Sequence, residues 1–258
     1  MKKFFTNKYV LITGGIIFLF LICFIISLCF NQKSNFFPSP IFVLERTVIL
    51  LGKPYIYQCL GFSMIKMVIG FAISLLLALI FACIVNDNES RYQFFLPFIT
   101  TIKSVPTAAF IFLLMVLIGS EFAPAFIVIF FSFPILYESI VGGMRNIDDQ
   151  INRASTIDGA NSFTRLFRIQ LPLAMPSLII GIISSFSLSF KVEIMSEVIT
   201  GYTKNGLGSL IKGVQVADPT NLADIFAYSL IAVILMVIIS IAANLIKNKL
   251  AVNHQISR

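Results

Sequence analysis

Residues 60–85 read LGFSMIKMVIGFAISLLLALIFACIV, with Lys66 as the only charged side chain. A helix needs about 20 predominantly apolar residues to cross the hydrocarbon core of a bilayer, and this stretch is long enough. Five other stretches have the same character, at residues 9–30, 94–118, 122–141, 171–195 and 222–246. The pattern predicts an all-α integral membrane protein with six transmembrane helices.

The composition of the chain supports this prediction. Of its 258 residues, 58% are hydrophobic and only 12% are charged, whereas soluble domains carry about 25% charged residues. A water-soluble enzyme is therefore excluded, and the loops between the stretches are too short for a separate soluble domain of ordinary size. The net charge of +7 fits the Lys and Arg excess of cytoplasmic loops, so we expect a membrane lipid environment and no nucleic acid partner.

Residues suited to metal binding or acid–base catalysis are scarce. The only histidine, His254, lies in the polar C-terminal segment, and the four cysteines sit in or beside apolar stretches without metal-ligand spacing. No phosphate-binding Gly-rich loop ending in Gly-Lys-Ser or Gly-Lys-Thr occurs in the sequence. We therefore expect no catalytic residue, no metal and no cofactor in this chain.

The charges in the loops predict the orientation. With the N-terminus inside, the inner segments carry eleven Lys and Arg residues and the outer segments carry five, which is a positive-inside asymmetry. Both termini and the long loop at residues 142–170 then face the cytoplasm. The first stretch follows three lysines, as in a signal peptide, but its apolar core is too long for one, so we expect a retained helix.

Two of the predicted helices carry small residues at a spacing of four, which lets helix backbones approach closely in lipid. The stripes are Gly70, Ser74, Ala78 and Ala82 in the second helix and Ser177, Gly181, Ser185 and Ser189 in the fifth. We interpret both stripes as packing surfaces. The alternative is that Ser185 and Ser189 line a path, because hydroxyl groups need partners in hydrocarbon. Six prolines fall within or at the ends of the predicted spans and predict kinks or local breaks there: Pro97, Pro106, Pro124, Pro134, Pro172 and Pro176.

Charged residues inside the apolar stretches are costly and normally face protein or water. Lys191, Glu193 and Glu197 cluster toward the outer end of the fifth helix. Glu193 and Glu197 are four residues apart and share a helix face, whereas Lys191 and Glu193 do not. These three residues are candidates for a translocation path or gate. The alternative is that they reach the membrane interface and are simply solvated or paired there.

The loop at residues 146–172 reads NIDDQINRASTIDGANSFTRLFRIQLP. Asp148 suits the positive N-terminal end of a helix, and Gly159 suits a left-handed residue at its C-terminal end. Ser162 is a candidate cap for a second short helix that leads back to the membrane. The pattern predicts helix, glycine turn and helix, either as a connector on the bilayer surface or as a docking element for a cytoplasmic partner.

This loop resembles the cytoplasmic signature of permease subunits of binding-protein-dependent ABC importers. That signature is Glu-Ala-Ala, three residues, Gly, and Leu-Pro about a dozen residues later. The matching positions are Arg153-Ala154-Ser155, then Gly159-Ala160 after Asp158, then Leu171-Pro172, with thirteen residues from the glycine to the proline. Pro38-Ser39-Pro40, Gly70-Phe71, Val105-Pro106, Phe133-Pro134 and Gly206-Leu207-Gly208 are similar to motifs of the sulfonate, taurine and nitrate importer permeases.

The chain departs from the signature at two positions. Arg153 stands where the family usually has glutamate, and Ser155 replaces the second alanine. The resemblance still implies the helix and turn, because Gly159 and the spacing are kept. We expect the partner ATPase to carry a compensating acidic residue opposite Arg153.

The resemblance implies the six-helix type I ABC importer permease fold, with residues 59–250 as the permease core between the segments 1–58 and 251–258. It also implies partners: two ATPase subunits, an extracytoplasmic substrate-binding protein and a second permease copy, all at the bacterial cytoplasmic membrane. Such a permease has no chemistry of its own. The coupling residues would be Arg153, Ala154, Ser155, Asp158, Gly159, Ala160, Leu171 and Pro172. The cargo would be a small organic anion, like a sulfonate, taurine or nitrate, or a vitamin precursor.

Two other transport functions remain open from the sequence. The scaffold subunit of an energy-coupling-factor importer also docks ATPases, but such scaffolds typically use two coupling helices, and this chain shows one. An ATP-independent secondary transporter would carry paired inverted repeats with broken helices, and no convincing internal repeat occurs. An intramembrane protease would need histidines or a base beside a serine, for which Lys191 near Ser189 is a poor signal.

Overall fold

The computed structural model describes residues 14, 15, 18, 21, 22, 24–27 and 38–256, apart from residues 87, 158 and 202–204. From residue 38 onward the described chain is helical throughout. The α-helices are α1 Pro40–Leu51, α2 Pro54–Val85, α3 Glu89–Ser104, α4 Thr107–Ile118, α5 Ala123–Arg145, α6 Asp149–Ile157, α7 Ser162–Arg165, α8 Leu171–Thr200, α9 Leu207–Ala217 and α10 Leu222–Ile256. A single π-helical turn, Leu166–Gln170, joins α7 to α8.

Four segments are long and apolar enough to cross a membrane: Pro54–Val85, Ala123–Arg145, Phe163–Thr200 and Leu222–Ala242. A fifth span is formed if α3 and α4 are counted together. The described residues thus supply four or five of the six predicted spans. The remaining one, at residues 9–30, lies mostly outside the described residues. The divisions drawn at residues 58 and 250 both fall within helices, α2 and α10.

The predicted span at residues 94–118 is broken into α3 and α4, which meet at an angle of 98°. Val105 is extended, with ψ of 128°, and α4 begins directly after Pro106. Proline disfavours helical backbone in the residue before it and cannot donate a backbone hydrogen bond. The predicted break at Pro106 is therefore confirmed, whereas Pro97, Pro134 and Pro176 lie inside α3, α5 and α8 without ending these helices.

The core forms where α5 packs between α2 and α8, and small residues allow the close approach. A Cβ at Gly70 would lie 2.9 Å from the carbonyl oxygen of Ala125, and a Cβ at Gly181 would collide with Ser139. Ser189 and Ser132 share a hydrogen bond of 2.6 Å between α8 and α5. The two small-residue stripes are thus packing surfaces, as the spacing predicts.

Helix α1 is held against the start of α10 by an ion pair. Arg46 Nε and Nη2 donate to the two oxygens of Asp224, at 2.7 and 2.8 Å. The hydrogen bond to Asp224 and its negative charge raise the pKa of the Arg46 guanidinium above its ordinary value. The N-terminus of α1 is capped by Ser39, whose hydroxyl accepts from Phe42 N at 3.3 Å. The ion pair thus holds α1 against the start of α10.

We expect Arg46→Ala to lower the thermal stability of the detergent-solubilised protein, because it leaves the largely buried Asp224 carboxylate without its bidentate partner. Losing a hydrogen bond to a charged group costs about 1.5–3 kcal/mol. Differential scanning fluorimetry would measure the midpoint of unfolding. Glu45→Ala, which removes an exposed charge from the same helix, is the matched control. An equal midpoint in the two variants would contradict a structural role for the pair.

Candidate functional site

The loop at residues 146–172, here called the polar loop, folds as the pattern predicts. Helix α6 begins after Asp148, whose carboxylate accepts from Gln150 N at 2.9 Å. This bond satisfies a backbone donor that the helix itself leaves free, and the negative charge suits the helix N-terminus. The sequence prediction of a helix starting at this aspartate is confirmed.

Helix α6 ends in a left-handed glycine turn. Gly159 has φ of +78°, and Ala160 N donates to the carbonyl oxygen of Ser155 at 3.1 Å. A bond of this span across a left-handed residue is the Schellman motif. The second helix is capped by Asn161, whose Oδ1 accepts from Thr164 N at 2.8 Å. The prediction of Ser162 as the cap is therefore wrong by one residue. Asparagine and serine are about equally good N-caps, so the sequence does not distinguish these two neighbours.

Two predicted coupling positions cannot be placed in full. Asp158 and the side chain of Arg153 lie outside the described residues. Ala154 is exposed and Ser155 is buried in the polar loop. Leu171 and Pro172 form the start of α8, directly after the π-turn, and Leu171 N donates to the carbonyl oxygen of Leu166 in that turn.

The polar loop presents large apolar side chains to solvent. Ile157 is 85% exposed and Phe163 is 70% exposed, and the rings of Phe163 and Phe167 are 4.5 Å apart. Exposed apolar groups clustered in a polar segment mark contact surfaces. The sequence prediction missed Ile157. An apolar residue in the last turn of a helix within a polar loop was the signal that could have identified it.

The polar loop is joined firmly to the membrane helices. Residues Phe163–Thr200 form one continuous helical segment, with a π-turn at Leu166–Gln170. Gln170 is buried, and its Oε1 accepts from Asn86 Nδ2 at the end of α2 at 2.7 Å. The polar loop is therefore connected to α8 through the chain and to the end of α2 through this hydrogen bond.

At the opposite end of α8, a buried carboxylate holds three helices together. Glu197 is fully buried and accepts from Ser63 Oγ at 2.7 Å and from Gly208 N at 3.0 Å. Lys66 Nζ lies 3.4 Å from the other oxygen. Leu207 N donates in turn to Ser63 Oγ at 3.0 Å. We call these five residues the Glu197 cluster.

The Gly206-Leu207-Gly208 motif has a steric role in this cluster. A Cβ at Gly206 would collide with the Glu197 carboxylate, and a Cβ at Gly208 would lie 2.6 Å from the carbonyl oxygen of Ile194. Only glycine lets the N-terminus of α9 approach the carboxylate this closely. The negative charge at a helix N-terminus is electrostatically favourable, so the cluster fixes α9 on α2 and α8.

The other predicted path residues divide into buried and exposed groups. Ser185 and Ser189 are fully buried between α5 and α8, which favours packing over contact with cargo. Glu193 is fully buried, and neither carboxylate oxygen has a hydrogen-bond partner among the described residues. Lys191 is exposed. The sequence placed these residues together, and the structure separates Lys191 from the rest.

Sequence reasoning missed the residues that share the exposed face of Lys191. Ser184 is exposed and Ser187 is half-buried, and they lie seven and four residues before Lys191, so all three fall on one side of the helix. We call Ser184, Ser187 and Lys191 the polar face of α8. Helical spacing identifies these residues as neighbours, but it does not show which side of α8 packs against α5.

A second exposed polar site lies at the break between α3 and α4. Lys103 Nζ contacts both oxygens of Glu138 on α5, at 3.0 and 2.8 Å. Thr100 and Ser104 are exposed beside this pair. This ion pair joins the end of α3 to α5.

Residues 70–251 match the family of binding-protein-dependent transport system inner membrane components. A probable ABC transporter permease protein of Brucella melitensis is 24% identical over 179 residues, which is 69% of this chain and 72% of the relative. A nitrate import permease protein of Synechocystis sp. is 23% identical over 185 residues, which is 67% of this chain and 66% of the relative.

Solved structures show the same fold. The MetNI methionine ABC transporter in an inward-facing conformation aligns with a TM-score of 0.60 at 17% identity, over 75% of this chain and 93% of the other. A bacterial alginate ABC transporter in complex with a pentasaccharide-bound periplasmic protein aligns with a TM-score of 0.60 at 15% identity, over 96% of both chains. The family match covers most of the chain, so this multi-pass helical protein belongs to the inner membrane components of binding-protein-dependent transport systems, the ABC importer permeases.

Proposed function

We propose that the chain forms the translocation pathway of an ATP-driven importer in the bacterial cytoplasmic membrane, with both termini in the cytoplasm. The observation that carries this proposal is the polar loop: α6 is capped at both ends, the loop exposes apolar side chains, and after the glycine turn α7 continues through the π-turn into α8. A rigid docking element is what coupling requires, because ATPase motion reaches the membrane as displacement of packed helices.

The proposed assembly contains two copies of this chain, two ATPase subunits docked on the polar loops and an extracytoplasmic binding protein. ATP hydrolysis takes place on the ATPase subunits. Ile157 and Phe163 supply the apolar contact, and Arg153 supplies a charge for an acidic residue of the ATPase. The proposed cargo is a small anion of the sulfonate, taurine or nitrate kind, in keeping with the relative from Synechocystis that is named a nitrate import permease, or else a vitamin precursor.

We expect Ile157→Asp to abolish co-purification of the ATPase subunit with the tagged chain from its native membrane. The side chain is 85% exposed, so the variant keeps its fold, and the new charge would be buried without a partner at the docking surface. Mass spectrometry would measure the ratio of ATPase to permease. Val216→Asp alters a residue of α9 that is 70% exposed and should leave the ratio unchanged.

Three results would contradict the proposal. A wild-type chain that purifies without an ATPase and transports in liposomes without ATP is a secondary transporter. An unchanged ATPase ratio in Ile157→Asp means that the polar loop is a connector on the bilayer surface. A different membrane subunit in the purified complex, in place of a second copy of this chain, would indicate an energy-coupling-factor importer.

A further inference from the structure

The polar face of α8 carries an exposed cation within a membrane-spanning helix. Lys191 is nine residues before Thr200, the last residue of α8, which is about 14 Å along the helix at 1.5 Å per residue. An exposed charge within a spanning helix is costly in hydrocarbon and normally faces a water-filled cavity or another protein surface. Ser184 and Ser187 extend the same face by two further turns.

The positive charge of Lys191 is not balanced nearby. Within the described part of the chain, Lys66 pairs with Glu197 and Lys103 pairs with Glu138, but Lys191 forms no ion pair. Glu193 is two residues away in sequence, yet it is fully buried, and residues two apart do not share a helix face. The polar face therefore offers one ammonium group and two hydroxyl groups, with no carboxylate among them.

This set of groups suits an oxyanion. An ammonium group donates three hydrogen bonds and each hydroxyl donates one, and hydrogen bonds from a charged donor to an anionic oxygen are stronger than neutral ones. We propose that Lys191, Ser184 and Ser187 form an anion-binding site on the cargo pathway. This site would select cargo that bears a carboxylate, sulfonate, nitrate or similar oxyanion group. This inference rests on the proposed function, since it needs α8 to line the pathway.

The test measures electrostatic potential at the polar face and needs no knowledge of the cargo. The four cysteines of the chain are first replaced by alanine, and Ser187→Cys then introduces a single thiol. The rates at which this thiol reacts with an anionic and with a cationic methanethiosulfonate reagent are measured. Ser187 lies one helical turn, about 6 Å, from Lys191. We expect the anionic reagent to react faster. Lys191→Gln should lower the anionic-to-cationic rate ratio by about threefold to tenfold, as unit charges at this separation in water imply.

Three controls sharpen the result. Lys191→Arg should keep the ratio, because the charge is retained. Lys53→Gln, which removes an exposed cation before α2, should also keep it. Ser184→Cys, two turns from Lys191, should show the same sign with a smaller change. An unchanged ratio in Lys191→Gln would overturn the proposal, as would a Ser187→Cys thiol that neither charged reagent modifies.

Failure of this proposal is distinguishable from failure of the proposed function. Every cysteine variant is first purified with the tag and scored for bound ATPase subunit. If the ATPase is bound and the rate ratio is unchanged in Lys191→Gln, only the proposed anion-binding site is rejected. A chain without ATPase rejects the importer assignment, whatever the rate ratio.

Discussion

Replacing Gly208 with valine will prevent α9 from packing against α8. A Cβ at this position lies 2.5 Å from the Cβ of Glu197, 2.6 Å from the carbonyl oxygen of Ile194 and 2.9 Å from Val198 N. Two of these atoms belong to the backbone of α8, so no side-chain rotation relieves the contact. Overpacking of this kind typically costs about 1–3 kcal/mol, and displacing α9 also removes the Gly208 donor from Glu197, at about 1.5–3 kcal/mol.

The expected result is a large fall in the midpoint of thermal unfolding and in the amount of folded protein in the membrane. The matched control is Gly213→Val on the same helix, where a Cβ meets nothing within 4 Å. Fluorescence-detected size-exclusion chromatography of solubilised membranes would compare the two. A Gly208→Val protein as stable as the Gly213→Val protein would show that the Glu197 cluster is not a structural joint.

The second large effect is expected from Gly159→Val in the polar loop. No atom lies within 4 Å of a Cβ there, but φ is +78°, a conformation that costs an L-residue roughly 1–2 kcal/mol. The strain falls on an exposed turn with open space around the added side chain, so the chain should reach the membrane in normal amounts. The turn itself should be populated about fivefold to thirtyfold less, and transport should fall by a similar factor.

Uptake into proteoliposomes and cargo-stimulated ATP hydrolysis would be measured on the assembled complex. Hydrolysis should lose its dependence on cargo, because the ATPase then closes against a loosely held α6. Gly159→Asn is the rescue control, since asparagine is the side chain that adopts this backbone most readily after glycine. Equal uptake in the valine and wild-type complexes would mean that the turn does not participate in coupling.

Much of the fold could be predicted because apolar length and local backbone rules are properties of short segments. The spans, the break at Pro106 and the turn at Gly159 all depend on a few neighbouring residues. The Glu197 cluster could not be predicted, because it joins Ser63, Glu197 and Gly208 from three separate helices. The prediction of a gate at Glu197 remains untested. The burial of Glu197 favours a structural role in holding the three helices together.

The polar face of α8 was missed for a different reason. In a membrane protein, the side of a helix that faces lipid is as apolar as the side that faces the core, so composition does not distinguish them. Ser185 and Ser189 share the small-residue spacing and are buried, whereas Ser184 and Ser187 are turned the other way. Serines on both sides of α8 look equivalent until the position of α5 is known.

The unbroken helical segment Phe163–Thr200 spans 38 residues, which is about 57 Å at 1.5 Å per residue. It begins beside Phe163 in the polar loop and ends next to Glu197 in the cluster that holds α9. In the proposed importer this segment would act as a lever: a tilt of about 5° around its polar-loop end would move the far end by about 5 Å. The length of the segment would then set how far α9 moves, and lengthening or kinking it would change that distance without altering either contact surface.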